Sequence, residues 1–333
     1  MSAVSTPRPA PTRGVVPGAP PRPGQQPGPH PGPGQYPGPG QYPGPGQYGP
    51  PYAAPHGAPY GGRPPLRPVP PPELSRRPRP RPSPRRSANP AVTVIVPTRN
   101  EARNLEVVLP AIAAVRPAVH EIIVVDGNST DDTLGTARRT LPWVRCITQT
   151  RKGKGNAMAC GFAAATGDVI VMFDADGSAD PAEIPAFVSA LVAGADFAKG
   201  SRFARGGGSE DITLLRKTGN AGLNTVANAL FGTSYTDLCY GYNAFWADLL
   251  PLLELPDPAL PLPEDGTMLW GDGFEIETVL NCRIAAAGLR ITEVPSVEKL
   301  RIFGETNLRT FADGTRVLRT LLSEHRRADR RKP

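Results

Sequence analysis

Val169-Ile-Val-Met-Phe-Asp-Ala-Asp176 is the stretch on which the reading of this chain turns. A hydrophobic run of strand length delivers two carboxylates at its carboxyl end. Side chains two apart on a strand share a face, so Asp174 and Asp176 can address one cation. In an open α/β sheet, ligands bind outside the carboxyl ends of the strands. Mg2+ and Mn2+ take one or two such carboxylates and complete their shell with phosphate oxygens of a substrate. The pattern therefore points to an enzyme that holds a diphosphate through a metal. A helix-capping Asp beside a solvated turn would give the same letters, so the flanking sequence has to decide.

Outward from this run the chain alternates strands and helices. Val92–Val96 is β-branched, continuous and stopped by Pro97, the pattern of a buried strand. Leu105, Val108, Leu109, Ile112 and Val115 form one helical stripe over about 101–116. A second strand, 121–125, ends in Asp126. Ser129 is expected to cap the next helix, with Asp131 and Asp132 in its first turn and Arg138 and Arg139 in its last. A short strand near 144–148 precedes the loop 151–155 and a helix over 156–165. Beyond the acid pair, Asp180-Pro181-Ala-Glu183 combines an N-cap, a first-turn Pro and a capping-box acid. Ile184, Phe187, Val188, Leu191 and Val192 are that helix's expected buried face. Four strand–helix units in a row predict a mainly parallel sheet covered by helices. Further helices are expected over 213–231, with Leu214, Leu215, Leu223, Val226 and Leu230 buried, over 274–287 ending at Gly288, and over 311–326. A strand is expected at 289–294 and a loop at 255–271.

Residues 1–90 differ in kind. They are dominated by Pro, Gly, Gln and Arg, and a six-residue repeat places Gln35-Tyr36, Gln41-Tyr42 and Gln47-Tyr48 in register. Such a segment cannot bury a core and is expected to be a disordered, polyproline-II-like arm. It holds eleven Arg and one acid, Glu73, a net +10, which leaves −3 on the remaining 243 residues. The chain's +7 thus resides in the arm, and a nucleic-acid-binding fold with its own basic face is not expected. The predicted organisation is an arm over 1–90, one α/β domain over 91–325 and a basic tail over 326–333. Arg76–Arg86 and the tail offer charge to an anionic membrane surface, or serve as solubilising ends. The four cysteines lack CxxC spacing, no apolar leader opens the chain, and no run reaches the roughly 18 apolar residues of a membrane span. These features predict a cytoplasmic protein, peripheral at the membrane face if it works on lipid.

Several motifs in order resemble the family-2 glycosyltransferases with the Rossmann-like GT-A fold: VIVPTRNEARNL (94–105), IIVVDGNSTDDT (122–133), KGKGNAM (152–158), GDVIVMFDADGSADPAEIP (167–185), KGSRF (199–203), and FEIETVL with the later EVP (274–280, 293–295). Within that family the polyprenol-phosphate sugar synthases, of the dolichol-phosphate mannose or glucose type, are most similar. The resemblance implies inverting, metal-dependent transfer of one hexose from a nucleotide-diphosphate sugar, GDP-mannose or UDP-glucose, to a polyprenyl-phosphate acceptor. It places Pro97, Arg99, Glu101, Asp126, Lys154, Asp174 and Arg202 on the donor. Asp174 and Asp176 become the DxD acids that hold Mg2+ or Mn2+. Arg216, Asp237 and Arg301 fall on the acceptor side. Asp272 and Glu275, in GDGFEIE, fall where many inverting members carry an acid near the acceptor, as the base if that acceptor is an alcohol. Lys152 and Lys154 flank glycines expected to let backbone approach an anion, and Gly206–Gly208 is expected to act as a lid. One departure is Ser178, at a position where mannose synthases often carry His. No QxxRW occurs, in keeping with single-sugar transfer.

Two other readings stay open on sequence. One is a soluble-acceptor enzyme resembling glucosyl-3-phosphoglycerate synthase. The other is a catalytically inactive GT-A domain whose Pro-rich arm docks SH3- or WW-like partners.

Overall fold

A computed structural model describes residues 86–304 and 310–331; the expected arm lies almost wholly outside them, as do the last two residues of the tail. The elements in chain order are β1 (Val92–Thr98), α1 (Ala102–Ala113), β2 (Glu121–Asp126), α2 (Thr133–Thr140), β3 (Arg145–Thr148), α3 (Lys154–Ala164), β4 (Val169–Met172), α4 (Ile184–Val192), β5 (Phe197–Ser201), β6 (Gly208–Ser209), α5 (Leu214–Phe231), β7 (Asn243–Trp246), α6 (Leu250–Leu253), α7 (Ile276–Ala286), β8 (Ile291–Pro295), β9 (Val297–Glu298) and α8 (Thr310–Asp329).

Seven strands form one sheet in the order β3-β2-β1-β4-β7-β5-β8. All neighbours are parallel except β7, which runs antiparallel between β4 and β5. The predicted helix-covered, mainly parallel sheet is thus borne out. β1, β2 and β4 are β-branched and apolar because both faces are covered: Val94, Ile95, Val96, Ile123, Val124, Val125, Val169, Ile170 and Val171 are all fully buried. The α1 stripe Leu105, Val108, Leu109 and Ile112 packs into the same core. Strand order reverses between β1 and β4, which makes their carboxyl ends the switch point where an α/β sheet opens a crevice. Register places Thr98 beside Asp126, and Asp126 beside Thr148, along that edge.

Several expectations are corrected. Asp132, not Ser129, is the N-cap of α2, and the helix has no acid in its first turn, although Arg138 and Arg139 close it as expected. The Ser129 hydroxyl instead accepts a bond from Asn100 N–H at 2.8 Å, tying the loop after β2 to the loop after β1. α3 begins at Lys154, two residues early, because Gly153 at φ +108° serves as its N-cap. Asp180 does cap its helix start, accepting from Ala182 N–H at 2.9 Å. Glu183 reaches away from the expected capping box to accept from Val297 N–H and the Ser296 hydroxyl. Val192, Leu214 and Leu215, expected inside, are exposed. α8 runs to Asp329, through residues expected to form a tail. Sequence reading did not foresee β6, β7 or β9.

Candidate active site

The crevice is built from two loop systems that meet over the switch point. On one side, the exits of β1 and β2 are laced together. Asn100 and Asn128 both adopt the left-handed conformation, at φ +59° each, which Asn tolerates better than other non-glycine residues. The Asn100 side-chain oxygen accepts from Thr130 N–H at 2.7 Å. Pro97 pairs with Val125 at the sheet edge, and Arg99 is exposed beside it. Asp126 is buried; one carboxylate oxygen accepts from Ser129 N–H, and the other has no hydrogen-bond partner. An orphaned buried carboxylate oxygen is costly, so a ligand hydroxyl or N–H at this point would be well received.

On the other side lies the turn after β4. Phe173 and Ala175 are buried, while Asp174 and Asp176 reach the crevice. One Asp176 oxygen accepts from both the N–H and the hydroxyl of Ser178, which holds the carboxylate in a fixed orientation. A strap formed by residues 299–303 is sewn across this turn. Lys299 N–H donates to Ser178 O at 2.8 Å, Ile302 N–H to Asp176 O at 3.0 Å, and Phe303 N–H to the Asn104 side chain at 3.0 Å. Gly177 is required beneath it: φ is +78°, and a Cβ would stand 2.4 Å from Ile302 Cδ1.

Each acid of the pair shares a cation with a glutamate from elsewhere. Lys154 Nζ lies 2.7 Å from Asp174 and 2.6 Å from Glu277, in the first turn of α7. Burial works against the charge of Lys154, but the two carboxylates outweigh it and hold its pKa above the ordinary lysine value. Arg301 Nη1 lies 3.0 Å from Glu101, and its Nη2 lies 3.5 Å from Asp176. Arg301, expected on the acceptor side, is therefore brought to the DxD turn. Glu277 was not foreseen. It lies two residues beyond Glu275, and only knowledge of where α7 starts turns it, rather than its neighbours, toward Lys154.

Other predicted residues have their groups engaged within the protein. Asp272 is fully buried and receives Arg151 bidentately, at 2.7 and 3.0 Å. Glu275 folds back to accept from Gly271 and Gly273 N–H. Asp237 is fully buried and accepts from Arg202 Nε and Nη2, Arg202 N–H and Asn220. Arg202 in turn reaches Glu298 at 2.9 Å. The polar groups of these four are thus spent on partners inside the protein. Arg216 pairs with Asp211 at 3.2 Å. The glycines of the KGKG loop answer a different need from the one expected. A Cβ on Gly155 would stand 1.8 Å from Gly271 O, and one on Gly153 would stand 2.1 Å from Asp272 O; they admit protein backbone rather than an anion. The glycine loop 206–208 is pinned at its far end, where β6 pairs with β9.

Lys199 is fully buried, with its amine donating to Tyr240 O at 2.6 Å and Gly200 O at 3.0 Å. Burial pushes its pKa down from 10.5 to about 8. Between those values the unfolded chain binds a proton that the folded chain does not, so this group makes stability rise with pH. Relative to Lys199→Met, the unaltered protein is expected to gain about 2 kcal/mol between pH 7 and 9.5, read from urea midpoints. A flat difference between the two would show that the amine titrates normally.

The sequence profile for "Glycosyl transferase family 2" matches residues 93–251. An undecaprenyl-phosphate mannosyltransferase of Micrococcus luteus is 33% identical over 226 residues, covering 65% of this chain and 87% of that protein. The chain belongs to glycosyl transferase family 2. An uncharacterised glycosyltransferase of Mycobacterium tuberculosis is 42% identical over 115 residues, 34% of this chain and 50% of that one; the chain thus spans about half the length of the first curated relatives it matches. The structure of glucosyl-3-phosphoglycerate synthase from Mycobacterium tuberculosis, in complex with Mn2+, UDP-glucose and phosphoglyceric acid, superposes with a TM-score of 0.55 at 24% identity over 72% of this chain and 80% of that one. That likeness establishes the GT-A architecture for this family-2 member. Among the described residues, no helix is long and apolar enough to cross a membrane.

Proposed function

We propose that this chain is an inverting glycosyltransferase that moves one hexose, mannose or glucose, from a nucleotide-diphosphate sugar to a polyprenyl-phosphate acceptor. The transferase unit is placed in residues 91–325 and is taken to work at the cytoplasmic membrane face. The observation that carries the reading is the position of Asp174 and Asp176, part-exposed just beyond the carboxyl end of β4, where strand order reverses. The family and the Micrococcus relative support the reaction type.

The residues present suit a hard divalent cation. The two partly exposed carboxylates offer oxygen ligands, and among the described residues no third acid, His or Cys completes a closed metal cage. Such an open set fits Mg2+ or Mn2+, which keep positions for substrate phosphate oxygens. When bound at Asp174 and Asp176, the ion would supply Lewis-acid stabilisation of the departing diphosphate. Lys154 and Arg301 add positive charge on the same wall. Asp126, with its orphaned oxygen, accepts from the nucleoside; Pro97, Arg99 and Glu101 line the same side.

Asp272 and Glu275, the expected bases, have their carboxylates occupied by Arg151 and by backbone N–H groups. An alcohol acceptor needs a base, whereas a phosphate is already anionic at neutral pH. This favours the polyprenyl phosphate over a soluble alcohol. Asp237 and Arg202 act by shaping the acceptor wall, with Arg216 at its rim. Two of the basic residues at the end of α8, Arg327 and Arg331, pair with Glu254, which leaves less of that charge for a membrane surface.

Labelled GDP-mannose and UDP-glucose with Mn2+ test the reading. Label is expected to enter butanol only when a polyprenyl phosphate is supplied. Water-soluble product with phosphoglycerate, and none in butanol, would overturn the acceptor assignment.

A further inference from the structure

The two acids of the DxD turn sit in matching brackets. Asp174 and Glu277 flank Lys154, and Asp176 and Glu101 flank Arg301. Four carboxylates and two cations leave two negative charges, the complement of one divalent ion. In each bracket one carboxylate belongs to the turn that faces the crevice. The other belongs to an element fixed elsewhere: Glu277 on the first turn of α7, and Glu101 at the start of α1. The outer partner of Lys154 is the more buried of its two, with the Glu277 side chain 12% exposed against 38% for Asp174.

From this arrangement we infer that Glu277 is a positioning residue that keeps Lys154 in place when a divalent ion takes Asp174. The inference rests on the metal reading above. The ammonium and the ion compete for the same carboxylate oxygens. Without a second acceptor, Lys154 would have to leave Asp174 for no partner in a part-buried site, a costly move. With Glu277 it keeps one contact, already formed at 2.6 Å, and gives up the other. The amine stays beside the crevice, where a donor diphosphate adds further acceptors. Gly241 leaves the room for this exchange. A Cβ there would stand 3.1 Å from Asp174 Oδ2, 3.4 Å from Glu277 Oε1 and 3.5 Å from Lys154 Nζ, so all three groups close on the one position without a side chain. Glu101 stands to Arg301 as Glu277 stands to Lys154.

Direct Mn2+ binding to the full-length protein, by calorimetry without donor, tests this through a double-mutant cycle. The variants are Glu277→Gln, Lys154→Met and the pair together, each first checked for an unshifted melt. Glu277→Gln is expected to weaken Mn2+ binding about tenfold while Lys154 is present, and less than about twofold once Lys154 is Met. Lys154→Met alone is expected to tighten binding, since the competing cation is gone. A Glu277 that acted only by its charge at a distance would cost the same in both backgrounds. Equal losses, or no loss with Lys154 present, would overturn the inference while leaving the metal reading intact. No Mn2+ binding to the unaltered chain, with or without GDP or UDP, would overturn both.

Discussion

Asp176→Ala is expected to lower sugar transfer by about 10²–10³-fold, with the fold retained. A metal that stabilises a departing diphosphate contributes several kcal/mol to the transition state, and each 1.36 kcal/mol is a factor of ten in rate. Asp176 is one of two crevice-facing carboxylates, and its own oxygen is oriented by two bonds from Ser178. Alanine loses the ligand and leaves Arg301 with Glu101 as its carboxylate partner in the bracket. The stability cost, from the lost bonds to Ser178, is expected to be about 1 kcal/mol. The check is single-turnover transfer with a labelled donor over a range of Mn2+, alongside a thermal melt. A variant with full activity would end the metal assignment. A variant that does not fold would shift the question to Asp176→Asn, which keeps the shape of the turn.

Asp272→Asn is expected to destabilise the protein by about 3–5 kcal/mol, the cost of removing one partner from a buried ion pair. Both side chains of the Arg151–Asp272 pair are 1% exposed. Arg151 also donates to the carbonyls of Asp257 and Leu260, so the pair holds the 255–271 segment against the start of α3. The backbone carbonyls of Asp272 and Gly273 accept from Asn156 and Gly155 N–H. Loss of the anion would leave a guanidinium buried with neutral acceptors alone. Replacing both partners, as in Arg151→Met with Asp272→Leu, is expected to recover most of the loss, because an apolar pair removes the unpaired charge. Urea midpoints measure both effects. A catalytic base would behave differently: Asp272→Asn would then lower kcat with the midpoint unchanged, and that result would refute the structural role given to this residue here.

Much of the architecture was legible because local pattern and global fold agree. The β-branched runs of β1, β2 and β4 are buried on both faces, so they read as continuous apolar strands, and the DxD acids follow from where β4 ends. What sequence missed depends on long-range placement. Asn243–Trp246 is only four residues long and enters the sheet between strands far from it in sequence; no local period announces such an insertion. Leu214 and Leu215 look like core by spacing, yet the first turn of α5 leaves both exposed. In GDGFEIE three acids lie within six residues. Which of them faces Lys154 depends on α7 starting at Ile276, and sequence patterns place a helix end only to within a few residues. Arg301 could not be placed, because the strap that carries it is defined by backbone bonds to a turn more than a hundred residues away.

Arg86 is the first described residue, and it is clamped. It pairs with Asp196 and Asp248, and its guanidinium lies 5.2 Å from the centre of the Trp246 ring. Those partners sit where β5 begins and β7 ends, at the pole of the sheet opposite the turn that carries Asp174 and Asp176. A change at Arg86 would therefore loosen that far edge of the sheet and leave the acid pair after β4 untouched.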